Sequence, residues 1–281
     1  MAVLLYPNRI KDAGFAVTRQ AIRLLREYGA PVLLSDEFQA DFPPEDARFL
    51  PLAEAVAAAE QVVTIGGDGT LLQAASACLA AGKPVLGVNL GRTGFLATCE
   101  VNEMPRKLAR LAKGHYTVEQ RGLLRASAGD GKWQATAVND VVLYGESRLH
   151  PMDYAVYCDG AFVCNYRSDG VILATPTGST AYSLSAGGPI LDVRAPVLVL
   201  NGICAHSPET AAMVFSNTRH LTVVASEENR STVYVCADSN TPCALEPGGV
   251  VEITASDKYL DLIGFGEAAQ FEAIGTKLRR R

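Results

Sequence analysis

The chain has 281 residues, 48% of them hydrophobic, and a formal net charge of −5, enough material for one large domain or two medium ones with full cores. That acidic balance argues against a broad face for nucleic-acid backbones, which needs a basic surplus or stripe. Seven cysteines, scattered and never spaced C-x-x-C, suggest neither a disulfide framework nor a zinc site and fit reduced thiols in a cytosol.

The opening "MAVLLYPNR" has no basic segment before its short apolar run, so it reads as a first strand and not as a signal peptide. A helix is predicted over about Asp12 to Tyr28, then a strand in "APVLLSD", an acidic, proline-containing connector, a strand in "QVVTIGG", a helix over about Thr70 to Ala81 and a strand in "KPVLGVNLG". Strands alternating with helices predict a mostly parallel α/β sheet, whose ligands bind outside the carboxyl ends of the strands. From about Tyr116 the texture changes to short strand-like runs: "ATAVNDVVLYG", "DYAVYCDGAFVCNYR", "GVILATP", "PVLVLNGI", "HLTVVAS", "STVYVCA" and "GVVEITA". One helical window, Ser179 to Ala186, interrupts them. The expectation is an α/β domain over 1–115, a β-rich, β-sandwich-like domain over 116–262, and a tail over 263–281 that could return to the first domain. The basic end, Lys277 with Arg279 to Arg281, reads as a solvated tail or a contact for a partner or phosphate. No apolar stretch approaches the roughly 18 residues of a membrane helix, so a cytoplasmic protein with no membrane partner is expected.

Two stretches carry chemistry. In "VVTIGGDGTLLQAA" the glycines at 66, 67 and 69 allow close backbone approach to an anion, and the following helix offers its N-terminus to negative charge. Asp68 is the oddity: beside phosphates a carboxylate is repelled unless a metal intervenes or it takes a proton from an attacking hydroxyl. The alternative is an Asp-Gly turn with a solvated aspartate. In "SDGVILATPTGSTAYSLSAGGPI" the hydroxyls of Thr175, Thr177, Ser179, Thr180, Ser183 and Ser185 and the face of Tyr182 suit a ligand rich in oxygens, such as a nucleotide. A hydroxyl-rich turn with a helix cap is the other reading. Asn139 and Asp140 could bond ribose hydroxyls or a base edge, or cap a turn. "NLGRTGFLA", with Arg92 and Thr93 between glycines, is a backbone-led turn or a bridging loop. The histidines 150, 206 and 220 have no metal-triad spacing.

Together, Gly66-Gly67-Asp68-Gly69-Thr70, Asn139-Asp140, Asp169-Gly170 and "TPTGSTAYSLSAGGP" resemble, in order and spacing, the motifs of bacterial NAD kinases over about residues 62 to 264. The resemblance implies transfer of a phosphoryl group from ATP or polyphosphate to the adenosine ribose 2′-hydroxyl of NAD, in a crevice between an α/β and a β-sandwich-like domain. It implies Asp68 as the residue that orients or deprotonates that hydroxyl, and Gly67, Gly69 and Thr70 as the phosphate cradle. Asn139 and Asp140 match the pair contacting the adenosine. Asp169, Thr180, Ala181, Tyr182, Ser183, Leu184 and Ser185 match further NAD-contacting positions, with Arg167 and His150 beside them. Mg²⁺ would accompany the donor, with no metal site made of protein alone, and a homodimer or homotetramer is expected. The family often shows Asn-Glu where this chain has Asn139-Asp140, and Asp-x-Gln where it has Asp238-Ser239-Asn240, so Asn240 keeps an amide with shorter reach. The segment from Cys204 departs from the family and supplies no site residue. A lipid kinase sharing GGDGT would want an apolar entrance, which the hydroxyl-rich run opposes; a binder without turnover would not need Asp68.

Overall fold

The computed structural model describes residues 1–91, 94–147, 150–206, 211–238, 240–266 and 274–275. The chain divides into two compact units, one of Met1–Gln120 with Leu260–Arg281 and the other of Arg121–Tyr259.

The first unit opens with strand β1 (Val3–Pro7), helix α1 (Ala16–Glu27), β2 (Val32–Ser35), β3 (Arg48–Leu50), α2 (Leu52–Ala58) and β4 (Gln61–Gly66). Helix α3 (Asp68–Ala81), β5 (Val85–Asn89), the short β6 (Cys99–Glu100) and α4 (Met104–Ala112) follow. The strands run parallel in the order β5-β4-β1-β2-β3. Every residue of β4 and β5 is buried, as expected of parallel strands covered on both faces. Helix α1 buries Thr18, Ala21, Ile22 and Leu25, and α4 buries Met104, Lys107, Leu108 and Leu111. Both sets follow the spacing of one helical face.

Two details differ from the sequence expectation. The connector before β4 is not irregular throughout, since β3 and α2 lie within it and Ala55 and Val56 enter the interior. Helix α1 begins at Ala16, not at Asp12, because Gly14 and Phe15 take left-handed conformations (φ 65° and 56°). Asp12 caps the helix instead, accepting the N–H groups of Val17 and Thr18 at 3.0 and 2.8 Å.

Strand β7 (Thr117–Ala128) leads into the second unit. There follow β8 (Trp133–Ala137), β9 (Asp140–Gly145), β10 (Met152–Cys158), β11 (Ala161–Ser168) and β12 (Gly170–Ala174). A single-turn helix α5 (Tyr182–Ser185) precedes β13 (Val197–Ile203), β14 (Met213–Ser216), β15 (Leu221–Ala225), β16 (Val233–Ala237), β17 (Cys243–Leu245) and β18 (Val250–Gly264). One antiparallel sheet has the order β14-β13-β12-β9-β16-β17 and another contains β11-β10-β15-β18. Their inner faces share a core, with Leu143, Val171, Leu173 and Val235 from the first and Tyr154, Val156, Val223 and Ile253 from the second. Strand β12 is buried along its whole length because its other face is covered too, with Ile172 and Ala174 joining Val142 and Val199 in a separate cluster against Ala186 and Leu191. The residues that follow β12 are thereby laid over the outer face of the sheet. The expected helical window 179–186 is broken there: Gly178–Thr180 forms a 3-10 turn and Ala181, at φ −99° and ψ −123°, separates it from α5.

Candidate functional site

In the first unit, β4 and β5 end side by side, with Gly66 paired to Asn89, so the turn after β4 sits at the carboxyl edge of a parallel sheet. Gly67 occupies φ 152° and ψ −171° and is the N-cap of α3, a conformation that favours glycine. The N–H groups of Asp68 and Gly69 have no acceptor among the described residues and form an anion-binding end, while those of Thr70 and Leu71 donate to Gly67 O at 3.0 and 3.1 Å. A side chain started at Gly69 would meet, apart from its chain neighbours and its own helix backbone, nothing within 4 Å among the described residues. Thr70 is buried, and its hydroxyl accepts the Asn8 side-chain amide at 3.1 Å, which ties the loop after β1 to the turn.

Asp68 is half-buried and held by backbone. Oδ1 accepts the N–H groups of Leu96 and Ala97 at 3.1 and 2.8 Å, and Oδ2 accepts that of Phe95 at 2.9 Å. Gly94 makes this possible, since a Cβ there would strike Asp68 Oδ1. The carboxylate is therefore fixed in one orientation, and Oδ2 retains lone-pair capacity for a hydroxyl proton or a hydrated cation.

In the second unit the start of β9 and the segment after β12 are knitted together. Thr175 donates its N–H to Asn139 O at 2.9 Å and its hydroxyl to Val138 O at 2.7 Å. Gly178 lies so tightly on the Asn139 backbone that no Cβ would fit. Asp238, at φ 48°, accepts the N–H groups of Val138, Asn139 and Asp140. The Asn139 side-chain amide has no partner among the described residues. The Asp140 carboxyl is 7% exposed; burial, and then the nearby Asp238 charge, push its pKa up to about 7. Burial also raises Asp238, against the lowering effect of its three backbone donors.

The other expected residues fall as follows. Tyr182, at 46% exposure, and Ser185 are exposed, while Ala181, Leu184 and Thr180 are half-buried, with the Thr180 hydroxyl donating to Thr177 O at 3.0 Å. Ser183 is fully buried, its hydroxyl beside Gly188 and without a partner among the described residues. Asp169 is half-buried and anchored by its N–H to Ile203 O at 2.9 Å; Arg167 is exposed and ion-paired with Asp153 at 3.2 Å. His150 and Asn240 are exposed. Arg92, Thr93 and the basic end from Lys277 lie outside the described residues. Sequence reasoning missed Asn8, the Phe95–Ala97 donors and the anchoring role of Asp238. Asn8 and Asp238 carry a weak sequence signal, as residue types that bond backbone, and the Phe95–Ala97 donors leave one only through Gly94.

Among the described residues no three His, Cys, Asp or Glu side chains form a metal cage. A Mg²⁺ ion carried by donor phosphate oxygens and water needs no such cage.

Residues 45–116 match the family model described as the ATP-NAD kinase N-terminal domain, and residues 138–265 that of the ATP-NAD kinase C-terminal domain. An NAD kinase of Pseudomonas fluorescens (strain SBW25) is 36% identical over 222 residues, covering 78% of this chain and 75% of the relative. One from Pseudomonas entomophila (strain L48) is 36% identical over 220 residues, or 77% and 74%. The structure of yeast NADH kinase complexed with NADH superposes with a TM-score of 0.88 at 23% identity, over 99% of this chain and 87% of that one. That of an NAD kinase from Archaeoglobus fulgidus in complex with ATP gives 0.77 at 24%, over 99% and 98%.

Proposed function

The chain belongs to the NAD kinase family, and from that premise we infer that it transfers the terminal phosphoryl group of ATP to the adenosine ribose 2′-hydroxyl of NAD, giving NADP. The observation that carries the chemistry is the Asp68 carboxylate, held by three backbone N–H groups at the N-terminus of α3. Asp68 orients the 2′-hydroxyl and takes its proton as the new O–P bond forms and the bond to the departing phosphate chain breaks. The N–H groups of Asp68 and Gly69 hold the donor phosphates, in a cradle that Gly67, Gly69 and Thr70 shape. Mg²⁺, when bound with the donor, offsets phosphate charge. Asn139, through its unpartnered amide, and Asp140, through its buried carboxyl, bond the adenosine, and the exposed positions of the 180–185 segment, Tyr182 above all, take further parts of NAD. Seven cysteines, none of them in a disulfide among the described residues, fit a reducing compartment such as the cytoplasm, and a closed homodimer or homotetramer is the expected assembly.

The test is a coupled assay for NADP formed from NAD with ATP and Mg²⁺, repeated with polyphosphate as donor and NADH as acceptor. NADP should appear with ATP, and Asp68→Asn should lower turnover at least ~10²-fold while NAD still binds. Absence of product with every donor, or an Asp68→Asn enzyme of full activity, overturns the reading.

A further inference from the structure

The loop after β1 places a cation against the phosphate turn. Asn8 builds that loop: its Oδ1 accepts the N–H groups of Ile10 and Lys11, each at 3.0 Å, its N–H donates to Ile65 O at 2.9 Å, and its side-chain amide donates to Thr70. The Lys11 ammonium consequently lies 3.1 Å from where a Cβ on Gly67 would stand. A cavity of about 540 Å³ opens here, with Lys11, Asn89, Gly91 and Glu100 in its wall. Lys11 is its sole basic residue among those described.

The carboxylates on this side are already engaged. Asp12 accepts Val17, Thr18 N–H and the Thr18 hydroxyl; Glu100 accepts the Asn89 amide at 3.2 Å; Asp68 accepts three backbone N–H groups. None of them pairs with Lys11 among the described residues. The ammonium thus stands beside Gly67, the N-cap of α3, where the N–H groups of Asp68 and Gly69 have no acceptor among the described residues, an arrangement of like partial and full charge that an anion relieves.

We propose that Lys11 is a ligand of the donor's terminal phosphates, binding the linear polyphosphoryl chain that ATP and inorganic polyphosphate share and so setting affinity for the donor and not for NAD. The proposal rests on the kinase reading above. A lysine suits the task as a mobile point charge with three donors that can follow the phosphate as it transfers.

The experiment compares wild type, Lys11→Met and Lys11→Arg, substitutions at an exposed position, by steady-state kinetics and by equilibrium binding of Mg-ATP and of inorganic polyphosphate. Lys11→Met should raise the KM for donor about tenfold or more and weaken donor binding equally, with the KM for NAD unchanged and Lys11→Arg recovering most of the loss. A rise for ATP identifies the nucleotide as the ligand, and one confined to polyphosphate identifies the inorganic chain. Unchanged donor affinity for both, or an equal rise in KM for NAD, overturns the proposal. If wild type makes no NADP yet Lys11→Met binds donor more weakly, the kinase reading fails and the Lys11 assignment stands.

Discussion

The Asp68 carboxylate stood out in the sequence because a carboxylate beside phosphates is repelled, although an ordinary Asp-Gly turn has the same residues. Its three backbone donors did not, since an N–H group is the same in every residue and only folding decides where Phe95, Leu96 and Ala97 point theirs. Gly94 is the trace those donors leave in the sequence. Gly94→Ala should push the carboxylate off its donors, and we expect kcat to fall at least ~10-fold with NAD affinity retained, read by steady-state kinetics beside a binding titration. Asp140 gives a pH-dependent prediction. Its pKa rises from about 3.9 in an unfolded chain to about 7, so the folded state binds the proton more tightly. The stability this contributes is complete below about pH 4 and is lost as pH climbs through about 7. Asp140→Asn carries no such proton, and its melting temperature relative to wild type should increase from pH 5 to pH 8 while its KM for NAD rises several-fold. A difference independent of pH would show that Asp140 is already ionised in the folded state.

At the scale of elements, long periodic segments announced themselves and short ones did not. Helix α4 has the spacing Met104, Lys107, Leu108, Leu111, yet a lysine inside the apolar stripe masks it. That lysine is buried and satisfied by Glu103 at 2.9 Å and Thr98 O at 3.2 Å. The 3-10 turn and α5 could not be read as separate pieces, because what divides them is the non-helical backbone of Ala181, a conformation with no signature in local periodicity. The β9 start depends on a residue about a hundred positions later. Asp238→Ala would leave the N–H groups of Val138, Asn139 and Asp140 without their acceptor, at a cost of roughly 2–4 kcal/mol. Urea unfolding should show that loss, and kinetics a raised KM for NAD at unchanged KM for ATP; a stable variant of normal KM would mean that water replaces the carboxylate.

For the molecule as a whole, the change of texture near Tyr116 made the two kinds of architecture visible, because parallel α/β units and antiparallel strands have different sequence periods. Composition suggested a tail that could return to the first domain but could not show where the chain re-enters it, which makes the first unit discontinuous from Leu260. Leu262 pairs with Val85, and Ile263 and Phe265 enter the same core as Val63, Leu86 and Leu108. A chain ending at Tyr259 should therefore lose the first unit's cooperative unfolding, seen by calorimetry, because emptying even one such core position costs about 2–5 kcal/mol. Birth on the ribosome exposes the same feature as a delay. At roughly 5–20 residues per second, synthesis of the second unit takes on the order of ten seconds, and for that time the sheet bearing the phosphate turn waits for its closing strand. The Asp68 turn is translated early, but the sheet that carries it is complete only once Leu262 has been made and pairs with Val85.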